Sequence, residues 1–418
     1  RDAWGKFHEP LVDAGISGFW NDMNDPVLRV AEVYDPLQED IRHKDGSHAK
    51  LRNTYANAMA EATRTGLQAL RPGVRPFVLT RSGFLGVQRH AAVWTGDNHS
   101  TWAHLVENVH MAVNLSLSGV PIVGADVGGF GRGPGKYGAV KWRPPAELFV
   151  RWMELGSLMP FYRVHCTLYA PRQEPWSFGK RALDVSRTVL RRRYRLLPYL
   201  YAKALEAHET GLPIVRALWL SEDVKRDDEF LVGDALLVAP ILEKGATKRT
   251  VQLPAGSWID WHTGDVHAGG RVVDVDAPWG RTPLFVRAGS CLFTADPKRN
   301  ADETLRAAIA LDVSAPAPDA KGVGTLFLDD GSSESRRFVV DVTSEDLGGR
   351  LKLTFTTRAS TFTPEQTELE LRAPRAFTTA LVDGARRSLE TRSIVEEERR
   401  YTASTLRVPI GVGEIVLE

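Results

Sequence analysis

Two aspartates share one kind of sequence context, and together they predict a site that cleaves glycosidic bonds. Asp22 and Asp97 each follow a short apolar run bounded by glycine, and each has a tryptophan close by, Trp20 and Trp94. A carboxylate so placed is typical of the C-terminal end of a parallel β-strand, where the active sites of α/β barrels lie. Indole rings provide flat apolar surfaces on which sugar rings stack. Paired carboxylates enclosed by aromatic side chains are what glycosidase chemistry requires.

The two aspartates are suited to different roles. Acetal cleavage passes through an oxocarbenium-like transition state, which needs an anion beneath the anomeric carbon and a proton donor at the departing oxygen. We assign the anion to Asp22, because Asn21 and Asn24 could hydrogen-bond to its carboxylate and keep it ionised. We assign the proton donor to Asp97, because aromatic neighbours and the charge of Asp22 favour its protonated form. The alternative is that both aspartates only cap buried loops.

Three further polar side chains stand at predicted strand ends. Arg81 could bind two sugar hydroxyls or orient Asp97, or it could form a plain internal salt bridge. His165 would donate a hydrogen bond to the sugar at the cleavage site. Asp126 is either a sugar ligand or a partner of other site residues, and the sequence favours neither. The glycine-rich stretch after it opens no helix with Lys-Ser/Thr, so we expect a barrel loop that presents Phe130, not a phosphate loop.

These residues are positioned by short strands that alternate with helices up to about residue 210, as in βα units around a parallel sheet. The predicted strands are Gly15–Trp20, Pro76–Arg81, Ala91–Gly96, Pro121–Asp126 and Leu158–Val164. The predicted helices include Asn53–Leu70, Ser100–Leu117 and Ala146–Leu155. A closed (β/α)8 TIM barrel needs eight strands and about 250 residues. We therefore expect a partial barrel, about strands 4 to 8, from the C-terminal portion of a longer enzyme.

The rest of the chain predicts an all-β tail after one long basic helix. That helix, Ala182–His208, carries an arginine run that we interpret as a solvated or domain-packing face. Short alternating strands separated by Gly, Pro and Asp turns then predict antiparallel β-sandwiches. They include Ile214–Leu220, Ala235–Ile241, Arg249–Leu253, Thr282–Ala288 and Leu351–Thr356. The predicted domains are 1–210, 211–295 and 296–418, an α/β part followed by two all-β parts.

The composition is that of an ordinary globular protein: 418 residues, 43% hydrophobic and 25% charged. The formal net charge of +1 gives no reason to expect nucleic acid or a membrane surface as a partner. The sequence contains no run of about 18 apolar residues, so it predicts no membrane-spanning helix. The two cysteines, Cys166 and Cys291, fall in different predicted domains, which favours a reducing, cytoplasmic compartment over a disulfide framework.

Several motifs together resemble the family 31 glycoside hydrolases, the α-glucosidase family. The segment Asn21–Asn24 resembles the nucleophile motif of that family, with Asp25 in place of its usual glutamate. Arg75–Ser82 and Trp94–Asn98 resemble the segments that carry its substrate arginine and its general acid/base. The resemblance continues through Gly124–Phe130, Arg163–His165, Gln173–Trp176, Tyr194–Tyr201 and Leu328–Gly331. It covers the barrel part densely and the tail sparsely.

The resemblance implies a retaining α-glycosidase that works by double displacement, with no metal and no organic cofactor. Asp22 would form the covalent glycosyl-enzyme, and Asp97 would act first as acid and then as base. The sugar pocket would include Met23, Arg81, Trp94, Phe130 and His165. The Asp-Met-Asn form of the motif favours glucose over xylose, so the expected substrate is an α-glucoside oligosaccharide. Val164 and Cys166 replace the family's two asparagines beside the histidine, a departure that could alter specificity.

Other functions remain open at this point. Asp22, Asp97, His99, Asp126 and His165 could be drawn as the metal cluster of a metal-dependent hydrolase, although no close histidine pair seeds such a site. A non-catalytic carbohydrate-binding fragment would retain the aspartates on an open barrel and expose apolar surface where further strands should pack. Within the family, α-xylosidase, sulfoquinovosidase and transglucosidase activities are alternatives. Linkage preference and oligomeric state are not determined by these patterns.

Overall fold

The computed structural model describes residues 2–30, 33–36, 41–131, 143–168, 170–220, 222–314, 322–333, 335–373, 377–396 and 398–418. The helices of the first part are α1 (Asp2–Lys6), α2 (Glu9–Asp13), α3 (His48–Leu70), α4 (Trp102–Leu117), α5 (Ala146–Gly156), α6 (Lys180–Arg195) and α7 (Leu197–Thr210). Its strands are β1 (Gly18–Asn21), β2 (Val27–Val30), β3 (Val33–Pro36), β4 (Arg42–His43), β5 (Gly46–Ser47), β6 (Phe77–Thr80), β7 (Ala92–Trp94), β8 (Val123–Gly124), β9 (Asp126–Val127) and β10 (Arg163–Val164).

The strands that position the candidate site lie side by side in chain order. Strands β1, β6, β7 and β8 form one parallel sheet, and β9 pairs in parallel with β10. Each of the five predicted strands therefore overlaps an observed parallel strand. Helix α4 packs on this layer through Leu105 and Val109, which are fully buried. Because the carboxyl ends of parallel strands meet at one edge, the residues that follow them are brought together there.

The last predicted strand is wrong over most of its length. Of Leu158–Val164, only the final two residues form β10. Leu158 and Met159 instead complete the end of α5, where the Met159 N–H donates to the Gly156 carbonyl oxygen at 3.0 Å. Both side chains are buried. A short apolar run alone does not distinguish a strand from a buried helix end, because both need the same side chains.

The predicted strand Pro121–Asp126 is divided into β8 and β9 at Ala125. Next to this break the chain passes very close to the segment before β10. A Cβ atom on Gly124 would lie 2.0 Å from the carbonyl oxygen of Phe161. Only glycine fits this approach, because any other residue would collide with main chain.

The long basic helix is two helices, α6 and α7, which meet at Leu196. The break follows from Pro198 in the first turn of α7, since proline has no N–H to donate and its ring clashes with the preceding helical turn. The prediction of one helix over Ala182–His208 was therefore wrong. Part of the arginine run packs inside the molecule, where Arg192 and Arg195 are buried.

The middle part consists of antiparallel strands. They are β11 (Val215–Ala217), β12 (Phe230–Val232), β13 (Leu236–Val238), β14 (Lys248–Leu253), β15 (Ser257–Asp260), β16 (Val266–Ala268), β17 (Arg271–Asp276) and β18 (Leu284–Arg287). Six form a sheet in the order β11-β12-β13-β18-β15-β16, and β14 pairs with β17. Val251 and Leu253 of the two-stranded ribbon share an apolar core with Trp258 and Phe285 of the sheet.

The distal part contains one short helix and eleven strands within the described residues. In chain order they are β19 (Cys291–Ala295), α8 (Ala301–Leu305), β20 (Ile309–Val313), β21 (Gly322–Asp329), β22 (Arg337–Asp346), β23 (Leu351–Ser360), β24 (Glu368–Ala373), β25 (Thr379–Val382), β26 (Ala385–Ser388), β27 (Glu390–Val395), β28 (Arg400–Pro409) and β29 (Glu414–Leu417). The sheets β19-β20-β24-β28-β27 and β21-β22-β23-β29-β25-β26 share one apolar core. Strand β19 pairs with β20, so the expected border at residue 295 lies after the first strand of this part.

A buried ion network joins the three parts. Arg151 of α5 pairs with Glu154 at 2.9 Å and also donates to carbonyl oxygens of the middle part. Glu154 accepts from the N–H of Gly280 at 2.6 Å. Arg192 of α6 donates to the main-chain carbonyl oxygen of Glu154 and pairs at 3.1 Å with Glu398 of the distal part. The side chains of both ion pairs are almost fully buried. The Arg151–Glu154 pair lies within α5, whereas the Arg192–Glu398 pair is satisfied only while α6 and the distal part stay together.

A second junction connects two sequence motifs that lie far apart in the chain. The Tyr201 hydroxyl donates to Asp329 at 2.6 Å, and Arg75 lies 2.9 Å from that hydroxyl and 3.0 Å from Asp329. The loop before β6 is thereby tied to α7 and β21. Cys166 and Cys291 are unpaired thiols. No helix in the described ranges is both long and apolar enough to cross a membrane.

Candidate active site

The guanidinium of Arg81 brings the two candidate aspartates together. Arg81 follows β6, between the strands that precede Asp22 and Asp97. Its Nη1 donates to Asp22 Oδ1 at 3.3 Å, and its Nη2 lies 3.7 Å from Asp97 Oδ2. Burial alone would lower the pKa of Arg81, but the carboxylates of Asp97, Asp25 and Asp22 outweigh it and raise this pKa. Arg81 is therefore a permanent cation between two partly exposed carboxylates.

A strained residue fixes the direction of the Asp22 side chain. Met23 adopts a left-handed backbone conformation with φ of 56°, which is costly for a residue with a Cβ. In this conformation its N–H donates to Asp22 Oδ1 at 2.8 Å. The Met23 sulfur also accepts a hydrogen bond from Arg81 Nη1 at 3.3 Å. The turn thus holds the carboxylate against Arg81.

The two asparagines of the motif do not contact the Asp22 carboxylate, and this prediction was wrong. Asn21 Nδ2 donates to Thr63 Oγ1 of α3 at 3.1 Å. Asn24 Nδ2 donates to Thr80 Oγ1 at 2.8 Å, and its Oδ1 accepts from the Ser82 N–H at 3.2 Å. Both asparagines are buried, Asn21 against α3 and Asn24 against the end of β6. They anchor the ends of the Asp22 turn instead.

Four rings form what we call the aromatic wall: Trp20, Trp94, Phe130 and His165. The Trp20 and Trp94 centroids lie 5.2 Å apart at 79°, and Trp20 and His165 lie 5.3 Å apart at 87°. Phe130 lies 5.4 Å from His165. Trp20 is 44% exposed, whereas Trp94 is only 1% exposed and lies beneath it. Trp20, which was not among the expected pocket residues, therefore presents the accessible indole, and Trp94 supports it.

An ion pair with one fully buried partner packs against this wall. Asp126 is fully buried and accepts from Arg163 Nη2 at 2.7 Å, a position that favours its supporting role over sugar binding. Burial raises the pKa of Asp126 to about 6, although Arg163 acts in the opposite direction. Burial and the Arg163 cation both lower the pKa of His165, whereas Asp97 and Asp22 act to raise it. A neutral His165 at neutral pH retains one N–H donor for a hydroxyl.

Asn98, a residue that sequence reasoning left without a role, fixes the position of Phe130. The Phe130 N–H donates to both the carbonyl oxygen and the side-chain oxygen of Asn98, at 2.8 and 3.1 Å. Asn98 Nδ2 in turn donates to the Asp126 carbonyl oxygen at 3.1 Å. The only sequence signal was its position directly after Asp97. The Gly128–Gly135 loop lies within the described residues only as far as residue 131.

The metal-dependent alternative has no geometric support. In the part of the chain that the structure describes, no three His, Cys, Asp or Glu side chains lie close enough together to hold a metal ion. The cluster drawn from Asp22, Asp97, His99, Asp126 and His165 is therefore not formed. What the arrangement offers is a carboxylate pair, a shared arginine, a neutral imidazole and ring surfaces, which suits the handling of a sugar.

Comparison with known proteins points in the same direction. The chain is 41% identical over 311 residues to alpha-glucosidase 2 of Bacillus thermoamyloliquefaciens, covering 72% of this chain and 38% of that protein. It is 38% identical over 328 residues to the probable glucan 1,3-alpha-glucosidase of Arabidopsis thaliana, covering 76% of this chain and 34% of that protein. The chain thus spans about a third to two fifths of the length of these relatives.

The fold shows the same relationship. The structure matches the Flavobacterium johnsoniae GH31 dextranase complexed with glucose with a TM-score of 0.87 and 27% identity, over 100% of this chain and 55% of that chain. Residues 1–203 match the family model for the glycosyl hydrolase family 31 TIM-barrel domain, and residues 211–292 match that for its C-terminal domain. The chain, with a TIM-barrel domain and a C-terminal region of mostly antiparallel sheets, belongs to glycosyl hydrolase family 31.

Proposed function

We propose that this chain carries the site of a retaining α-glycosidase that releases terminal, non-reducing α-D-glucosyl residues, with Asp22 as nucleophile and Asp97 as general acid/base. The observation that supports this most directly is the contact of one guanidinium, that of Arg81, with both carboxylates. Two carboxylates that share so small a partner flank one narrow space, as double displacement requires. Their side chains are 39% and 40% exposed, so a substrate can reach both.

The proposed reaction has two steps. In the first, Asp97 donates its proton to the glycosidic oxygen while Asp22 attacks the anomeric carbon, so that the aglycone leaves as an alcohol and a glycosyl ester forms. In the second, Asp97 accepts a proton from water, whose oxygen attacks the same carbon and displaces the Asp22 carboxylate. Arg81 stabilises Asp22 as an anion, which is its form both before attack and after displacement. Neither step requires a metal or an organic cofactor.

We propose α-linked glucosyl oligosaccharides as the substrates. The two relatives named above are alpha-glucosidases by name, and the dextranase structure contains glucose. In this chain Trp20 and Phe130 supply ring surfaces beside the carboxylates, and neutral His165 supplies a hydrogen-bond donor. These groups match the alternating apolar faces and hydroxyl edges of a pyranose.

We further propose that the parallel strands, with β8 and β9 counted as one interrupted strand, correspond to strands 4 to 8 of an eight-stranded barrel, followed by two β-sandwich domains. In the described residues β1 pairs on one side only. Apolar side chains in the segment that precedes it are exposed, among them Phe7 at 72% and Ile16 at 42%. Further strands on this side would cover such a surface, and the matched relatives are longer than this chain.

The nucleophile can be identified by trapping it. We would incubate this chain, and a longer form that supplies further strands, with 5-fluoro-α-D-glucosyl fluoride, and sequence the labelled peptide by mass spectrometry. We expect the label on Asp22, because a retaining enzyme passes through a covalent ester. Asp22→Asn should abolish both labelling and release of 4-nitrophenol from 4-nitrophenyl α-D-glucopyranoside. The matched control is Asp265→Asn, an exposed aspartate of the middle part.

The outcomes separate the alternatives. A label on a residue other than Asp22 would contradict the nucleophile assignment. Cleavage of the α-xyloside but not the α-glucoside would make the enzyme an α-xylosidase, and glucosyl transfer to added maltose in place of hydrolysis would make it a transglucosidase. Sugar binding with neither labelling nor turnover in the longer form would favour a non-catalytic carbohydrate-binding role.

A further inference from the structure

Arg163 packs against the aromatic wall, at a position to which no sequence argument assigned a function. It stands two positions before His165, so the two side chains project from the same side of the extended chain. The central carbon of its guanidinium lies 4.8 Å from the Trp20 ring centroid and 5.4 Å from that of Trp94. It also lies 5.4 Å from the ring of Phe161. One cation therefore contacts the faces of three rings.

Asp126 holds this guanidinium in place. Strands β9 and β10 pair with Asp126 opposite Arg163, so the ion pair spans neighbouring strands. The Nη2–Oδ1 distance is 2.7 Å, and the carboxylate is completely buried while the arginine side chain is 22% exposed. A charge-assisted bond to a fully buried partner leaves the guanidinium little freedom to leave the rings. The pair is thus a fixed support beneath Trp20 and Trp94.

The support depends on properties that are specific to arginine. A guanidinium is planar and weakly hydrated, so it can stack on indole faces while one edge donates to a carboxylate. An ammonium group is a compact, strongly hydrated point charge and cannot make both contacts in the same way. Arg163→Lys therefore retains the charge but loses the planar contact, whereas Arg163→Met loses both.

Arg163 also sets the electrostatic environment of His165. The charged groups that face this imidazole are Arg163 of β10, Asp22 after β1 and Asp97 after β7. After burial, Arg163 is the largest influence that lowers the pKa of His165, and the two aspartates oppose it. Removing the cation would leave the imidazole facing carboxylates alone, and it would then take up a proton at a higher pH.

We propose that Arg163, anchored on Asp126, is a positioning residue that holds the Trp20–Trp94 ring pair beside His165. The geometry of this proposal stands on its own, whereas its relevance to turnover rests on the proposed glycosidase function. Asp126 is completely buried, and the Arg163 guanidinium stacks on the rings, so we assign the pair a supporting role.

The first test reads the ring geometry directly. Near-ultraviolet and exciton circular dichroism would be measured for the wild type, Arg163→Lys, Arg163→Met and Asp126→Asn, because two indoles 5.2 Å apart couple strongly. We expect all three variants to lose most of the couplet, and glucose affinity, measured by tryptophan fluorescence, to fall about tenfold. The matched control is Arg181→Lys, whose guanidinium lies 4.3 Å from the Trp279 ring away from the site.

The second test separates charge from shape. The pH below which glucose binding is lost should rise by about half a unit or more in Arg163→Met and remain unchanged in Arg163→Lys. An unchanged couplet with affinity within about twofold in both Arg163 variants would overturn the proposal. So would loss of folding in all three variants, since the pair would then serve the fold and not the site. If the variants lose the couplet as expected but the wild type neither binds nor cleaves glucosides, only the proposed function is contradicted.

Discussion

At the scale of single residues, the candidate site depends on one permanent cation shared by two carboxylates. Arg81 approaches Asp22 at 3.3 Å and Asp97 at 3.7 Å, and its side chain is 22% exposed. The sequence left three roles open for this arginine, namely sugar binding, orientation of Asp97 and an internal salt bridge. The structure shows that it pairs with both aspartates at once, which no spacing rule could reveal because the contact joins three separate strand ends.

Arg81→Met should lower kcat/KM on 4-nitrophenyl α-D-glucopyranoside by about a hundredfold or more, because the Asp22 carboxylate then loses its cationic partner and both side chains lose the contact that positions them. Arg81→Lys should recover part of the loss, since it restores charge without the two-sided fork. Steady-state kinetics checks both expectations, with exposed Arg89→Met as the control. Similar kcat/KM for Arg81→Met and wild type would remove Arg81 from the mechanism.

Asp126 should give the protein a pH-dependent stability. Burial raises its pKa from 3.8 to about 6, so the folded state binds this proton more tightly than the unfolded state. Its contribution to the free energy of unfolding is therefore largest below pH 4 and declines by about 3 kcal/mol as the pH rises to 6. Melting temperatures of wild type and Asp126→Asn across pH 4 to 7 test this. The difference between them should change over that window, and a constant difference would contradict the shift.

At the scale of elements, strand and helix positions followed from the sequence where the pattern was long or strictly alternating. Helix α3, and the five tail strands predicted, overlap observed elements. The secondary-structure predictions were wrong where a local pattern was consistent with two different structures. Leu158 and Met159 are apolar because they complete a buried helix end, and the pattern over Ala182–His208 is continuous although Pro198 breaks the helix. The roles of Asn21 and Asn24 were misassigned because their partners, Thr63 and Thr80, come from other elements.

The close approach of the chain at Gly124, next to the break between β8 and β9, predicts that a larger residue there lowers stability. Gly124→Ala should destabilise the protein by about 3 kcal/mol, because the added methyl group would meet the main-chain oxygen of Phe161, which cannot move aside as a side chain could. Gly411→Ala is the matched control, since nothing lies within 4 Å of a Cβ there. Urea unfolding compares the two. Equal stability for both variants would mean that the close approach is not rigid.

At the scale of the whole molecule, buried charges hold the three parts together. Arg151 and Glu154 have side-chain exposures of 0% and 2%, and Arg192 and Glu398 have 1% and 4%. The arginine run of α6 was interpreted from sequence as a solvated or domain-packing face, and the burial of Arg192 and Arg195 confirms the packing role. Glu398, the partner of Arg192, lies about two hundred residues further along the chain. Long-range pairs of this kind leave no periodic trace in a sequence.

Arg151→Met should destabilise the protein by about 3–5 kcal/mol, because it leaves Glu154 buried without its closest cation. The double variant Arg151→Met, Glu154→Gln should recover part of that loss, since no uncompensated charge remains. Thermal unfolding measures both, with Arg187→Met, an exposed arginine of α6, as the control. If the double variant is no more stable than the single one, hydrogen bonding to the middle part outweighs the charge.

The hydrogen bonds of Arg151 also limit where this chain can be recombined with a relative. Its guanidinium donates to the carbonyl oxygens of Ala246, Ala277 and Pro278, which belong to loops of the middle part, from a helix of the barrel part. Some main-chain carbonyl groups of those loops therefore receive their hydrogen bonds from α5 of the barrel part. A chimera that exchanges the middle part between relatives at residue 210 would separate the carbonyls from their donor. The smallest interchangeable unit includes α5, so crossover points placed before residue 146 should give better-folded hybrids than points placed at the apparent linker.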